Sequence, residues 1–189
     1  SNLNKALHLQ LSIGGPIHLN CPLEDPVTKP YLSKRTKKFS YDPFVPKEKD
    51  QTAIQKMNKR ISSAQRPLLC IGQLEPSISK SKVFSLVKAF NWPTVVDGTN
   101  VGLKSLPNVI LSADDAFADL KSQTFDVIIY VGGGFISKKI ATFLERNASI
   151  VHHISLSFLP VFPAINKYQF DFTELTPAVF RGDSLSWLR

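Results

Sequence analysis

The sequence predicts an α/β fold, a three-layer α/β/α domain built on a six-stranded parallel sheet. Three observations carry this. Apolar segments of four to seven residues recur from residue 67 onward, each followed by an amphipathic segment. These segments are apolar throughout instead of alternating, as strands covered on both faces are. Glycine-containing turns follow several of them, at Gly72, Gly98 and 132–134. With 189 residues, 43% of them apolar, the chain has room for one such domain and an arm.

The elements follow in order. Leu3, Leu7 and Leu11 predict a short helix over 3–12. Ile17 and Leu19 alternate with His18 and Asn20, which predicts a half-buried strand over 16–20, stopped by Pro22. Residues 21–46 hold five prolines and the cluster Lys34, Arg35, Lys37 and Lys38, so an extended basic arm is expected. Tyr31, Phe39, Tyr41 and Phe44 recur along it, as in an arm laid against a surface. A helix is predicted over 47–64 with Ile54, Met57 and Ile61 on one face, then a strand over 67–72. Val83, Leu86, Val87 and Phe90 define a helix over 79–91. A strand over 94–97, a Gly/Asn loop and a strand over 108–111 come next. A helix over 114–121, with Asp114 and Asp115 suited to its N-terminal dipole, leads to the strongest strand, 125–131. A helix over 137–147, strands over 149–155 and 168–172 and a short helix near 176–180 complete the reading.

The formal charge of +8 is uneven. Between Lys29 and Arg66 eleven Lys/Arg stand against Asp42, Glu48 and Asp50, and the remainder of the chain balances to zero. The basicity therefore belongs to the arm and the helix after it. The run at 34–38 is expected to be a solvated arm, so no nucleic-acid partner is expected; a nucleic-acid-binding module is one alternative. No apolar run approaches the ~18 residues of a membrane span, and residues 1–3 do not open a secretory signal. Cys21 and Cys70 are the only cysteines, with no metal-ligand spacing, and a reducing, cytoplasmic setting is expected.

One segment carries chemistry. Val127–Val131 runs into Gly132-Gly133-Gly134, then Phe135-Ile136-Ser137-Lys138-Lys139 and a helix. Three glycines permit close backbone approach. Ser137 as N-cap puts Lys138 and Lys139 in the first helical turn, where free N–H groups favour an anion. Lysines oppose the dipole there, so two of them point to a visiting negative group. If the strand order is 3-2-1-4-5-6, this turn faces Gly72-Gln73-Leu74-Glu75 across the switch point, where open parallel sheets bind ligands. The G-x-G-x-x-G spacing is absent, which weakens the other alternative, a dinucleotide-binding domain. His152 and His153 point to opposite faces of one strand and cannot share a metal; structural roles are expected. A ligand contact from Asp97-Gly98-Thr99-Asn100 has no support in the pattern, and Gly182-Asp183-Ser184 lacks the distant Asn of a metal motif.

Gly15-Pro16-Ile17-His18-Leu19-Asn20-Cys21-Pro22 resembles the Gly-Pro-x-His-x-Asn-x-Pro segment that ends the first domain of thiamine-diphosphate (ThDP) enzymes. Within them the chain looks most like the MenD family, menaquinone-pathway synthases that join 2-oxoglutarate to isochorismate. The resemblance implies that residues 1–20 are the tail of a pyrimidine-binding domain, 21–46 a linker and 47–189 the middle domain, a Rossmann-like sheet of the NAD/FAD-binding type. It implies a part of a larger transferase, homo-oligomeric as a whole. Its ThDP and Mg2+ (or Mn2+) would be held by the other two domains, with no cofactor in this piece and no catalysis by it alone. It also implies that Lys138 stands where the family has a Lys that reaches substrate carboxylates. Lys139 stands where Arg is typical, keeping the charge without the planar fork.

Overall fold

The computed structural model describes residues 50–74, 78–110, 120–155 and 166–177, with the single positions 6, 10, 18 and 20. The chain divides into two units, Ser1–Lys47 and Glu48–Arg189, and the sheet lies in the second.

Helix α1 (Gln51–Ser63) starts where Asp50 accepts from the Ala53 N–H at 2.9 Å, four residues after the expected start. A side-chain acceptor is what the first free N–H groups of a helix need, and Lys47 offers none. Ile54, Met57 and Ile61 are its buried face. Strand β1 (Pro67–Ile71) follows. Helix α2 (Lys80–Phe90) buries Val83, Leu86, Val87 and Phe90 and ends at Asn91, whose φ of 50° is left-handed. Strands β2 (Thr94–Val96) and β3 (Val109–Ile110) are joined through a 3-10 stretch, Gly98–Ser105, where the sequence had predicted a loop. Asp97 starts that stretch by accepting from the Thr99 N–H at 3.1 Å. Strand β4 (Val127–Val131), helix α3 (Lys138–Arg146), strand β5 (Val151–Ile154) and strand β6 (Asn166–Tyr168) complete the sheet. A 3-10 turn, Phe172–Glu174, follows.

The six strands are all parallel in the order β3-β2-β1-β4-β5-β6. This is the predicted fold. Strand periodicity divides the core in two. Leu69, Ile71, Val96, Ile129, Val131 and Ile154 meet α1 and α2 on one face. Leu68, Cys70, Val95, Ile128, Tyr130 and Val151 meet α3 and Leu120 on the other. The interior strands β1 and β4 are wholly buried, as continuous apolar runs require.

Three expectations are corrected. The sixth strand is Asn166–Tyr168, not 168–172. As an edge strand it has one paired side and needs little apolar content, so its residues are only partly covered. Phe170 and Phe172, the apolar signal that misplaced it, instead seal the core, Phe172 stacking on Phe90 at 6.0 Å. Thr176 and Pro177 are not helical, and 178–180 lie outside the described residues. His18 and Asn20 are exposed and not in a strand; alternation alone supplies no ladder partner. The rest of 16–20, the basic arm, Asp114, Asp115 and Gly182–Ser184 lie outside the described residues.

Candidate functional site: the switch-point turns

The strand order reverses between β1 and β4, so the turns after these strands face each other. Here they are stitched together. The Gly72 N–H donates to the Val131 carbonyl at 2.9 Å, and the Gly133 N–H to the Gln73 carbonyl at 2.7 Å. The Gln73 N–H donates to the Gly134 carbonyl at 3.4 Å, and the Gly132 N–H to the Ile154 carbonyl at 3.1 Å. Glycine is required for this approach. A Cβ on Gly72 would fall on the Gly133 carbonyl oxygen. Gly132 has a φ of 83°, and a Cβ there would lie 2.5 Å from the Gln73 oxygen.

The β4 turn is also held from below. Tyr130 donates its hydroxyl hydrogen to the Gly133 carbonyl. Burial first, then Cys70 and Asp97, hold that hydroxyl well above its ordinary range, so it stays a donor at neutral pH. His153 stacks on the Tyr130 ring at 4.6 Å, and its Nε2 is 2.8 Å from the Gly132 carbonyl. A carbonyl only accepts, so Nε2 carries the proton. His152 faces the other side of the sheet, with Nδ1 3.3 Å from the Tyr168 hydroxyl. The two histidines have separate structural partners, as the sequence predicted. Among the described residues no cluster of His, Cys, Asp or Glu could hold a metal. Cys70 is fully buried, and burial pushes its thiol far up.

Asp97 is the residue the sequence undervalued. The residue is 2% exposed, and both of its carboxylate oxygens accept hydrogen bonds. Oδ1 accepts from the Thr99 N–H at 3.1 Å and the Thr99 hydroxyl at 2.9 Å. Oδ2 accepts from the Ile136 N–H at 2.8 Å, across to the segment ahead of α3. Asn100 completes the link, donating from Nδ2 to the Gly72 carbonyl at 2.8 Å. The sequence showed Asp97-Gly98-Thr99-Asn100 only as a strand end and turn; that Asp at such a position favours an Asx turn is the signal that could have marked it. The partner 39 residues away has no such signal.

Ser137 caps α3 as predicted, its side chain accepting from the Ile140 N–H at 3.4 Å. Lys138 and Lys139 occupy the first turn, both exposed, and the neighbouring Ile136 is 77% exposed. A cavity of about 410 Å³ opens on the β1–β2 side, between Phe84 of α2 and Thr99, Asn100 and Leu103.

The resemblance drawn from the Gly-Pro-x-His-x-Asn-x-Pro segment and the fold extends along the chain. It is 26% identical over 190 residues to the 2-succinyl-5-enolpyruvyl-6-hydroxy-3-cyclohexene-1-carboxylate synthase of Flavobacterium psychrophilum, covering 95% of this chain and 33% of that protein. This chain resembles part of such a synthase. The Flavobacterium johnsoniae synthase of the same name is 27% identical over 179 residues, 87% of this chain and 30% of that protein. The Staphylococcus aureus synthase is 24% identical over 184 residues, 92% and 32%. The chain thus spans about a third of the length of the curated synthases it matches. No protein-family model matches it.

A ThDP diphosphate with its metal needs free N–H groups and oxygen ligands. The four N–H groups at the heart of the switch-point turns do not meet that need. The N–H groups of Gly72, Gln73, Gly132 and Gly133 are spent within the fold, and no metal-ligand cluster is present among the described residues. These four N–H groups are equally taken from a dinucleotide pyrophosphate at this switch point. Among the described residues no helix is long and apolar enough to cross a membrane.

Proposed function

We propose that this chain is the middle domain of a ThDP-dependent synthase of menaquinone biosynthesis. The whole protein would release CO2 from 2-oxoglutarate and add the remaining succinyl unit to isochorismate. This domain would supply scaffold and a substrate contact, while neighbouring domains hold ThDP and Mg2+. The observation that carries the reading is the placement of Lys138 and Lys139. They are exposed cations in the first turn of α3, beyond the carboxyl end of β4 and beside the switch point. Both substrates carry carboxylates, and a helix N-terminus with an ammonium group is a site for one. Lys138 is the principal contact. Lys139 contributes charge without a bidentate fork.

The test is an assay of the protein that carries this chain, with 2-oxoglutarate, isochorismate, ThDP and Mg2+. CO2 release coupled to consumption of isochorismate is expected. Absence of coupled turnover in a folded, ThDP-loaded protein contradicts the proposal.

A further inference from the structure

The Asp97 carboxylate is buried, yet no cation neutralises it among the contacts described above; three hydrogen bonds hold it instead. Such an arrangement is costly unless every lone pair has a donor. The donors come from two separate segments. Thr99 is on the turn after β2, and Ile136 immediately precedes the Ser137 cap of α3. The turn bearing Asp97 is itself fixed to β1, since the Asp97 N–H donates to the Ile71 carbonyl at 2.8 Å. Asn100, bonded to Gly72, fixes its other end. The segment between Gly132 and Ser137 links the end of β4 to the start of α3. Gly132 and Gly133 anchor its start; the Asp97–Ile136 bond is a backbone anchor near its helical end, beside the packing of Phe135 on Tyr130. A backbone tie at Ile136 sets where the next three residues begin, and Lys138 is two positions on.

We propose that Asp97 is a positioning residue for the Lys138 site. It acts through the Ile136 N–H and fixes the start of α3, so that the Lys138 ammonium meets the substrate carboxylate at a set place. This rests on the reading of Lys138 as a substrate contact. Asp97 itself touches no substrate. A loosened helix start lowers the fraction of molecules with Lys138 in place, which weakens substrate binding and leaves chemistry on the cofactor alone.

The test is a double-mutant cycle in the full-length synthase, with Asp97→Asn and Lys138→Ala singly and together. Asp97→Asn keeps the volume, makes the remaining acceptor neutral and turns the other oxygen into an NH2 donor, so the Ile136 tie or its support at Thr99 is lost. It is expected to raise KM for the carboxylate substrate about 5- to 10-fold, with kcat and ThDP affinity unchanged. In the Lys138→Ala background the same substitution is expected to have no further effect. An equal effect in both backgrounds overturns the proposal, because Asp97 would then act on the fold in general. A separate readout isolates the tie from the lysine. Hydrogen exchange of the Ile136 amide is expected to accelerate about tenfold or more in Asp97→Asn. Unchanged exchange overturns the proposal whatever Lys138 does. Faster exchange with Lys138→Ala kinetically silent overturns the substrate role of Lys138 and leaves the tie standing. If Asp97→Asn fails to fold, Thr99→Val removes one donor to Oδ1 while leaving the Ile136 bond. A smaller KM rise that vanishes without Lys138 is then the supporting result, and a KM rise independent of Lys138 the opposing one.

Discussion

Gly132 shows how single residues fix the site. Its φ of 83° and the Gln73 oxygen 2.5 Å from a would-be Cβ leave no room for a side chain. Gly132→Ala is expected to cost at least ~1–3 kcal/mol of stability, measured by denaturant unfolding. An unchanged midpoint would mean that the turn relaxes freely. Cys70 gives an independent check on the buried sheet. Its thiol is wholly enclosed and held protonated, so thiol reagents should label it only as fast as the protein opens. Rapid labelling in the native state would contradict its placement in β1. The glycine turn, the Ser137 cap and the two lysines of its first helical turn were all legible in the sequence, because they are local. The partners of that turn were not. Gln73, Asp97 and His153 reach it across the sheet, and no spacing rule connects residues so far apart in the chain.

At the scale of elements, β5 carries a pH response. The His152 ring is buried, and its Nε2 has no hydrogen-bond partner among the described residues. Burial first, then the positive charges of Arg60 and Lys56, lower its pKa to about 4. The unfolded chain titrates near the ordinary His value of about 6.5. Above that pH the ring is neutral in both states and costs nothing. As pH falls from about 6.5 toward 4, the unfolded state takes up the proton first, so stability declines, by up to ~2–3 kcal/mol. His152→Gln is expected to remove this component, flattening the difference between variant and wild-type unfolding curves over that range. Parallel curves for the two proteins would show that His152 is not the source. The elements were legible in proportion to their burial. Strands β1 and β4, apolar throughout, were predicted within one or two residues. Strand β6 was displaced because an edge strand of Asn, Lys and Tyr carries little apolar signal, while Phe170 and Phe172 beyond it carry much. The 3-10 stretch after β2 has no periodicity of its own; the Asx turn at Asp97 sets its start.

The unit Glu48–Arg189 is built on a doubly wound sheet whose switch-point turns are tied to each other by hydrogen bonds and flanked by two exposed lysines. The parallel three-layer architecture was legible because alternating apolar and amphipathic segments make βαβ units with right-handed crossovers; the strand order entered only as a condition. That the switch-point turns are tied together was not legible, because the ties are backbone groups common to every sequence. From this the chain alone is expected to give no calorimetric signal with ThDP and Mg2+; binding at micromolar levels would contradict the assignment of the cofactor to other domains. The central claim is that Lys138 meets a substrate carboxylate. Steady-state kinetics of Lys138→Ala in the proposed synthase, the protein that carries this chain, tests it most directly. A lost charge-assisted contact is worth ~1.5–3 kcal/mol, so kcat/KM for the carboxylate substrate should fall roughly 10- to 150-fold, with ThDP affinity unchanged. Lys139→Ala should cost less. Wild-type kcat/KM in a folded Lys138→Ala enzyme would contradict the account and leave the two lysines as surface charges on a scaffold.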